Sequence, residues 1–218
     1  MNTFALKRQA LLWAVAFVFF SSCQTVYYET MEQFGVHKRD ILVDRVEEAR
    51  NSQEEAKEQF NSALEQFQSV MNFQGGALQE RYETLDDEYN LSLSKAKEVR
   101  SRIDNVESVA NALFAEWETE LEEYTNAKLR NASESQLRQT RAKYTKMMAS
   151  MQKATLSMDP VLAALKDQVL YLKHNLNARA IASIQQEANQ VEEDVKRLIK
   201  EMEKSIDEAN KFIKEMGL

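Results

Sequence analysis

An apolar seven-residue repeat runs without a break from Leu78 to Trp117. Its positions alternate between spacings of four and three residues, and eleven of the twelve are apolar. Because 44% of the whole chain is apolar, about five would be expected by chance. The repeat predicts a long helix with an apolar stripe, and such a stripe requires partner helices. The positions are Leu78, Tyr82, Leu85, Tyr89, Ser92, Ala96, Val99, Ile103, Val106, Ala110, Leu113 and Trp117.

Three other segments carry the same alternation and supply the partners. Only four glycines and one proline are present, which leaves few turns and favours long helices over strands. We therefore predict an all-α fold, an elongated antiparallel bundle of about four long helices with coiled-coil-like packing. The expected helices span residues 29–71, 77–130, 133–174 and 178–216, within a single domain of residues 24–218.

Two connections between these helices have clear local signals. Gly75-Gly76 is the clearest turn, since paired glycines end a helix and allow a reversal. The next turn is predicted at Asn131–Glu134, with Ser133 as the N-cap and Gln136 completing a capping box.

Two further positions leave alternatives open. Pro160 predicts a kink in the third helix, or a full break with a new helix starting there. Near Asn177 the repeat slips, which predicts a last turn capped by that residue. The alternative is one continuous helix with a stutter in its repeat.

Residues 1–23 have the parts of a secretory signal peptide in order. Lys7 and Arg8 are basic, and an unbroken apolar run of eleven residues, Ala10 to Phe20, follows them. In a helix this run covers about 16 Å, roughly half of a hydrocarbon core, so a spanning helix is not expected. An uncleaved N-terminal anchor is the alternative.

Cys23 is the only cysteine, and it comes where the apolar run ends, after Ser21 and Ser22. The sequence Phe20-Ser21-Ser22-Cys23 resembles the lipobox of bacterial lipoproteins, although Phe20 replaces the usual leucine. The resemblance implies that Cys23 is acylated and becomes the first mature residue. Gln24 replaces the aspartate that marks inner-membrane retention, which implies an outer-membrane lipoprotein facing the periplasm. The alternative is an ordinary signal peptide with a chance cysteine.

The sequence holds no catalytic constellation, and we predict a non-enzymatic protein without cofactor or metal. The two histidines, His37 and His174, lie in different segments and lack the spacing of a zinc or di-iron site. A net charge of −7 disfavours nucleic acid as a partner. A small-ligand or metal carrier that uses Met147, Met151 and His174 in the bundle interior is the alternative function.

Several stretches together resemble the bacterial family called domain of unknown function 2959. They are Gly35–Val46, Ala112–Glu118, Asp159–Leu162 and Asp167–Ile181. The resemblance implies a secreted helical protein and carries no activity, ligand or catalytic residue. We therefore expect a cell-envelope lipoprotein that acts as a helical structural or protein-interaction module. Its expected partners are the membrane, through the lipid anchor, and an envelope protein or a second copy.

Overall fold

The computed structural model describes residues 37–72 and 78–216. These residues form four long helices and no strand. The helices are α1 (Lys38–Met71), α2 (Leu78–Glu123), α3 (Ala127–His174) and α4 (Ala178–Met216).

The four helices pack as a closed ring of neighbours. α1 packs against α2, α2 against α3, α3 against α4, and α4 against α1. The antiparallel direction of α1 and α2 is seen in the ion pair between Lys38 at the start of α1 and Glu116 near the end of α2. Such an arrangement buries one stripe of each helix around a shared axis. The predicted all-α antiparallel bundle is therefore confirmed.

Most of the core consists of residues that the seven-residue repeats predict. Phe60 and Phe67 of α1, Leu85 of α2 and Leu165 of α3 are fully buried. Burying one such side chain contributes about 1.5–3 kcal/mol, so the continuous stripes supply the main driving force for assembly. The other fully buried large side chains are Leu42, Met147, Met151, Met158, Leu172, Ile184, Leu198 and Met202.

The turn between α2 and α3 lies earlier than the sequence predicts. α2 ends at Glu123 and α3 begins at Ala127, so the predicted turn at Asn131–Glu134 is wrong. Asn126 is the N-cap, and its side-chain oxygen accepts hydrogen bonds from the backbone N–H groups of Lys128 at 3.0 Å and Leu129 at 3.3 Å. Asparagine is as strong an N-cap as serine, and here the earlier cap starts the helix.

The first helix also differs from its prediction. The backbone of His37 is extended and serves as the N-cap, so α1 begins at Lys38. Gly35, two residues earlier, is a poor helix former and was a signal for this boundary. Residues 29–36, the Gly75-Gly76 turn and the entire N-terminal signal lie outside the described residues.

α3 continues through Pro160 from Ala127 to His174, so the alternative of a full break is wrong. The helix ends at His174, and the chain turns at Asn175–Asn177. The side chain of Asn177 accepts a hydrogen bond from the backbone N–H of Ala180 at 3.1 Å, which caps α4 as the sequence predicts.

Candidate functional site

The three residues proposed for a carrier site do not come together. Met147 and Met151 lie on successive turns of the buried face of α3 and are packed into the core. His174 is the last residue of the same helix and is exposed. His174 follows Met151 by twenty-three positions, which correspond to about 35 Å of helix. The interior ligand site made of these side chains is therefore not formed.

Ion pairs on the surface of the described bundle lower the pKa values of several glutamates. The guanidinium of Arg141 lowers the pKa of Glu118, and hydrogen bonds from Lys95 and Lys153 lower the pKa values of Glu55 and Glu201. Within residues 37–72 and 78–216, no group of three or more histidine, cysteine, aspartate or glutamate side chains is placed to hold a metal. Cys23, the predicted lipidation site, lies outside these residues.

Among the described residues, a groove runs between α2 and α3, and we call it the α2–α3 groove. One recess in it has a volume of about 300 Å³. Its lining combines aromatic rings with both signs of charge: Asn111, Phe114, Ala115, Glu118, Arg141, Tyr144 and Thr145.

Arg141 organises this recess. Its guanidinium carbon lies 4.9 Å from the centroid of the Phe114 ring, and its Nη1 donates to Oε1 of Glu118 at 2.6 Å. Phe114 also meets Tyr144 edge to face, with centroids 5.3 Å apart. A cation that is held at once by a ring face and a carboxylate is fixed in position. The recess therefore presents the charged pair Arg141–Glu118 beside the aromatic rings of Phe114 and Tyr144.

Tyr144 contributes a phenol that stays protonated. Burial, together with the nearby negative charge of Glu107, raises its pKa to about 12. A neutral phenol can donate and accept hydrogen bonds, but it is not a base at neutral pH. The phenol of Tyr144 is therefore suited to hydrogen bonding with a bound partner.

A second recess lies further along the same groove. It has a volume of about 280 Å³, and Arg100, Asp104 and Glu107 contribute polar groups to its lining. Leu156, on the outer face of α3, also lines it and is 69% exposed. Arg100 Nη2 donates to Asp159 Oδ1 at 2.5 Å and thereby ties α2 to α3 near this recess.

Sequence reasoning did not single out this groove. The repeat marks residues that face the core, whereas Leu156 lies off the repeat and was passed over. The available signal was an exposed leucine position on a helix face that is otherwise polar. Aromatic and arginine side chains, such as Phe114, Tyr144 and Arg141 here, are enriched in protein-interaction surfaces.

Comparison with known proteins identifies the family of this chain. The profile described as "Protein of unknown function (DUF2959)" matches residues 27–216. The chain belongs to this family. The DUF2959 match begins four residues after Cys23 and covers all four helices, which confirms the resemblance seen in the sequence. Neither the curated proteins nor the solved structures contain a match. No helix in the described part of this DUF2959 chain has an apolar stretch long enough to cross a membrane.

Proposed function

We propose that this protein is a non-enzymatic lipoprotein of the cell envelope, in which a lipid on Cys23 tethers the helical bundle to a membrane. The observation that carries the proposal is Phe20-Ser21-Ser22-Cys23, which follows a basic and apolar leader and directly precedes the family domain. Each acyl CH₂ group buried in a bilayer contributes about 0.8 kcal/mol, so two or three chains give stable anchoring. Gln24 after the cysteine supports the outer membrane, with the bundle in the periplasm.

The bundle itself supports a structural or interaction role. α2 has 46 residues and α3 has 48, which gives a rod about 70 Å long. A rod of this length, anchored near one end, holds its surface away from the membrane. The α2–α3 groove is the surface that we assign to an envelope protein partner or to a second copy of the chain.

The test is the intact mass of protein extracted from membranes of the native host, with Cys23→Ser as the control. Acylation at Cys23 predicts a mature chain that begins at this residue and carries the mass of its acyl chains. The serine variant should lose that mass and leave the membrane fraction. A wild-type chain that is cleaved but unacylated, or uncut, would contradict the lipoprotein assignment.

A further inference from the structure

The α2–α3 hairpin extends beyond the other two helices at one end of the bundle. At the start of α1, Lys38 Nζ lies 2.9 Å from Glu116 Oε1. Near the end of α4, Glu215 Oε2 lies 3.0 Å from Lys143 Nζ. Residues 117–123 of α2 and 127–142 of α3 continue past these contacts, by about 10 Å and 24 Å of helix. We call residues 117–142 the hairpin tip.

The hairpin tip is folded but presents apolar side chains outward. Leu121 and Leu137 are buried, and the cap at Asn126 closes the turn. Beyond them, Tyr124 is 41% exposed and Leu129 is 57% exposed. The tip therefore holds two large apolar side chains outward beside a capped turn.

α1 begins at this same end of the bundle, where Lys38 lies beside Glu116. Thirteen residues, 24–36, separate Cys23 from His37. Such a segment spans at most about 45 Å when extended, which exceeds the projection of the tip. A bundle tethered through Cys23 therefore has its tip within reach of the lipid surface, where tethering raises the effective concentration of even a weak contact.

We infer that the hairpin tip rests on the membrane, with Tyr124 and Leu129 in the interface of a zwitterionic bilayer. This inference rests on the proposed function, because the tether is the lipid on Cys23. Tyrosine favours the water–lipid interface, since its ring is apolar and its hydroxyl is polar. The contact determines which end of the rod faces the membrane and directs the opposite end away from it.

The charges of the tip fit a zwitterionic surface better than an anionic one. Glu122 and Glu123 precede the turn, and Lys128 and Arg130 follow it. Because the two signs nearly balance, attraction to anionic lipid is weak, and burial of the two apolar side chains provides the contact. The contact should therefore change little with salt concentration.

The far end of α3 supplies a matched control. Leu170 is 50% exposed and Tyr171 is 40% exposed, so that end presents a similar pair of side chains. Leu129 and Leu170 are separated by about 60 Å of helix. Exposure alone does not distinguish the two ends; the position of the tether does.

The experiment uses the full-length protein extracted from membranes and reconstituted in phosphatidylcholine vesicles. Leu129→Cys and Leu170→Cys variants each carry one free thiol for the environment-sensitive fluorophore NBD, because the lipid occupies the Cys23 thiol. We expect a blue-shifted emission at position 129 and a decrease of about two-fold or more when nitroxide-labelled lipid is added. At position 170 we expect neither change.

The outcomes separate this inference from the proposed function. Flotation and intact mass report the anchor, whereas quenching reports the tip. An anchored protein with an unquenched label at 129, or with quenching at 170 instead, overturns the tip contact alone. A blue shift at 129 without lipid quenching indicates a second copy on the tip and also overturns it. A protein that neither floats nor carries acyl chains overturns both.

Discussion

The indole Nε1 of Trp117 donates a hydrogen bond to Oγ of Ser133 at 2.8 Å, joining the end of α2 to the beginning of α3. Both side chains are half-buried. Ser133 was expected to cap a helix, but it lies within α3 and accepts this bond instead. The pair therefore holds the two arms of the hairpin together where α1 and α4 no longer flank them.

Trp117→Phe should lower the free energy of unfolding by about 0.5–1.5 kcal/mol, the net value of one neutral hydrogen bond. Phenylalanine retains an aromatic ring at the position, so most of the packing is kept. The measurement is urea denaturation followed by far-UV circular dichroism. Ser133→Ala is the matched partner, and the double variant should lose little more than either single one. Fully additive losses would show that the two side chains do not act as a pair.

Gln53→Met should raise the free energy of unfolding by about 1–3 kcal/mol. Gln53 is fully buried on the core stripe of α1, and neither its Nε2 nor its Oε1 has a hydrogen-bond partner among the described residues. An unpaired buried amide loses its hydration without compensation, and methionine has a similar shape without that cost.

The control for Gln53 is another glutamine on the same helix. Gln59 Nε2 donates to Glu88 Oε2 at 2.5 Å. Gln59→Met removes a bond that is made, so chemical denaturation should show a loss of stability. If Gln53→Met also lost stability, the buried amide would have a partner, such as an internal water.

Acid should weaken the ion pairs that join α3 to α4. Lys153 donates to Glu201 at 2.7 Å, and Lys146 forms an ion pair with Glu208 at 2.8 Å. These hydrogen bonds lower the pKa of Glu201 and of Glu208 below the ordinary 4.5. Because the folded pKa is depressed, the stabilisation is complete above the unfolded pKa and is lost as the pH falls through the folded value.

The variants Glu201→Gln and Glu208→Gln test this dependence. Each should cost about 0.2–1 kcal/mol at neutral pH, the range of a surface ion pair, and the cost should shrink below the unfolded pKa. Thermal unfolding across acidic and neutral pH, with and without high salt, measures the difference. Glu203→Gln, an exposed glutamate on the same helix, is the control. A cost that is independent of pH would contradict an ionic origin.

Pro160→Ala should stabilise the protein by about 1–3 kcal/mol. Pro160 is exposed in the interior of α3, where proline lacks the N–H that would bond to the carbonyl of Leu156. Urea denaturation measures the gain. Asp159→Ala, which removes only the exposed ion pair with Arg100, should cost about 1 kcal/mol or less. A loss of stability in Pro160→Ala would mean that the packing of α3 requires the bend that proline favours.

Much of the fold could be predicted because the residues that a helix buries in a bundle recur at a regular spacing in the sequence. Gln53 and Ser205 show that this spacing predicts burial even for polar residues. Each is a polar member of an apolar repeat, and each is fully buried. A helix repeats every 3.6 residues, so the buried face can be read from spacing alone. The cap at Asn177 was equally readable, because its signals lie within a few residues.

The turn between α2 and α3 could not be read in the same way. Asn126 and Ser133 are both good caps, and their local chemistry gives no reason to prefer the first. The choice depends on tertiary contacts such as the hydrogen bond from Trp117 to Ser133, in which Ser133 lies inside α3 instead of at its start. The distance between Met151 and His174 could not be predicted from local sequence either. It depends on whether α3 remains continuous through Pro160.

The sequence by itself determined that the chain forms long amphipathic helices, which side chains they bury, and that a lipobox-like cysteine precedes them. Only the tertiary structure decided which helices are neighbours, how far the hairpin tip extends, and where Phe114, Arg141 and Tyr144 form a recess. The physical reason is that burial periodicity is a property of each helix alone. The axial offset between helices follows instead from the sum of many weak contacts between them.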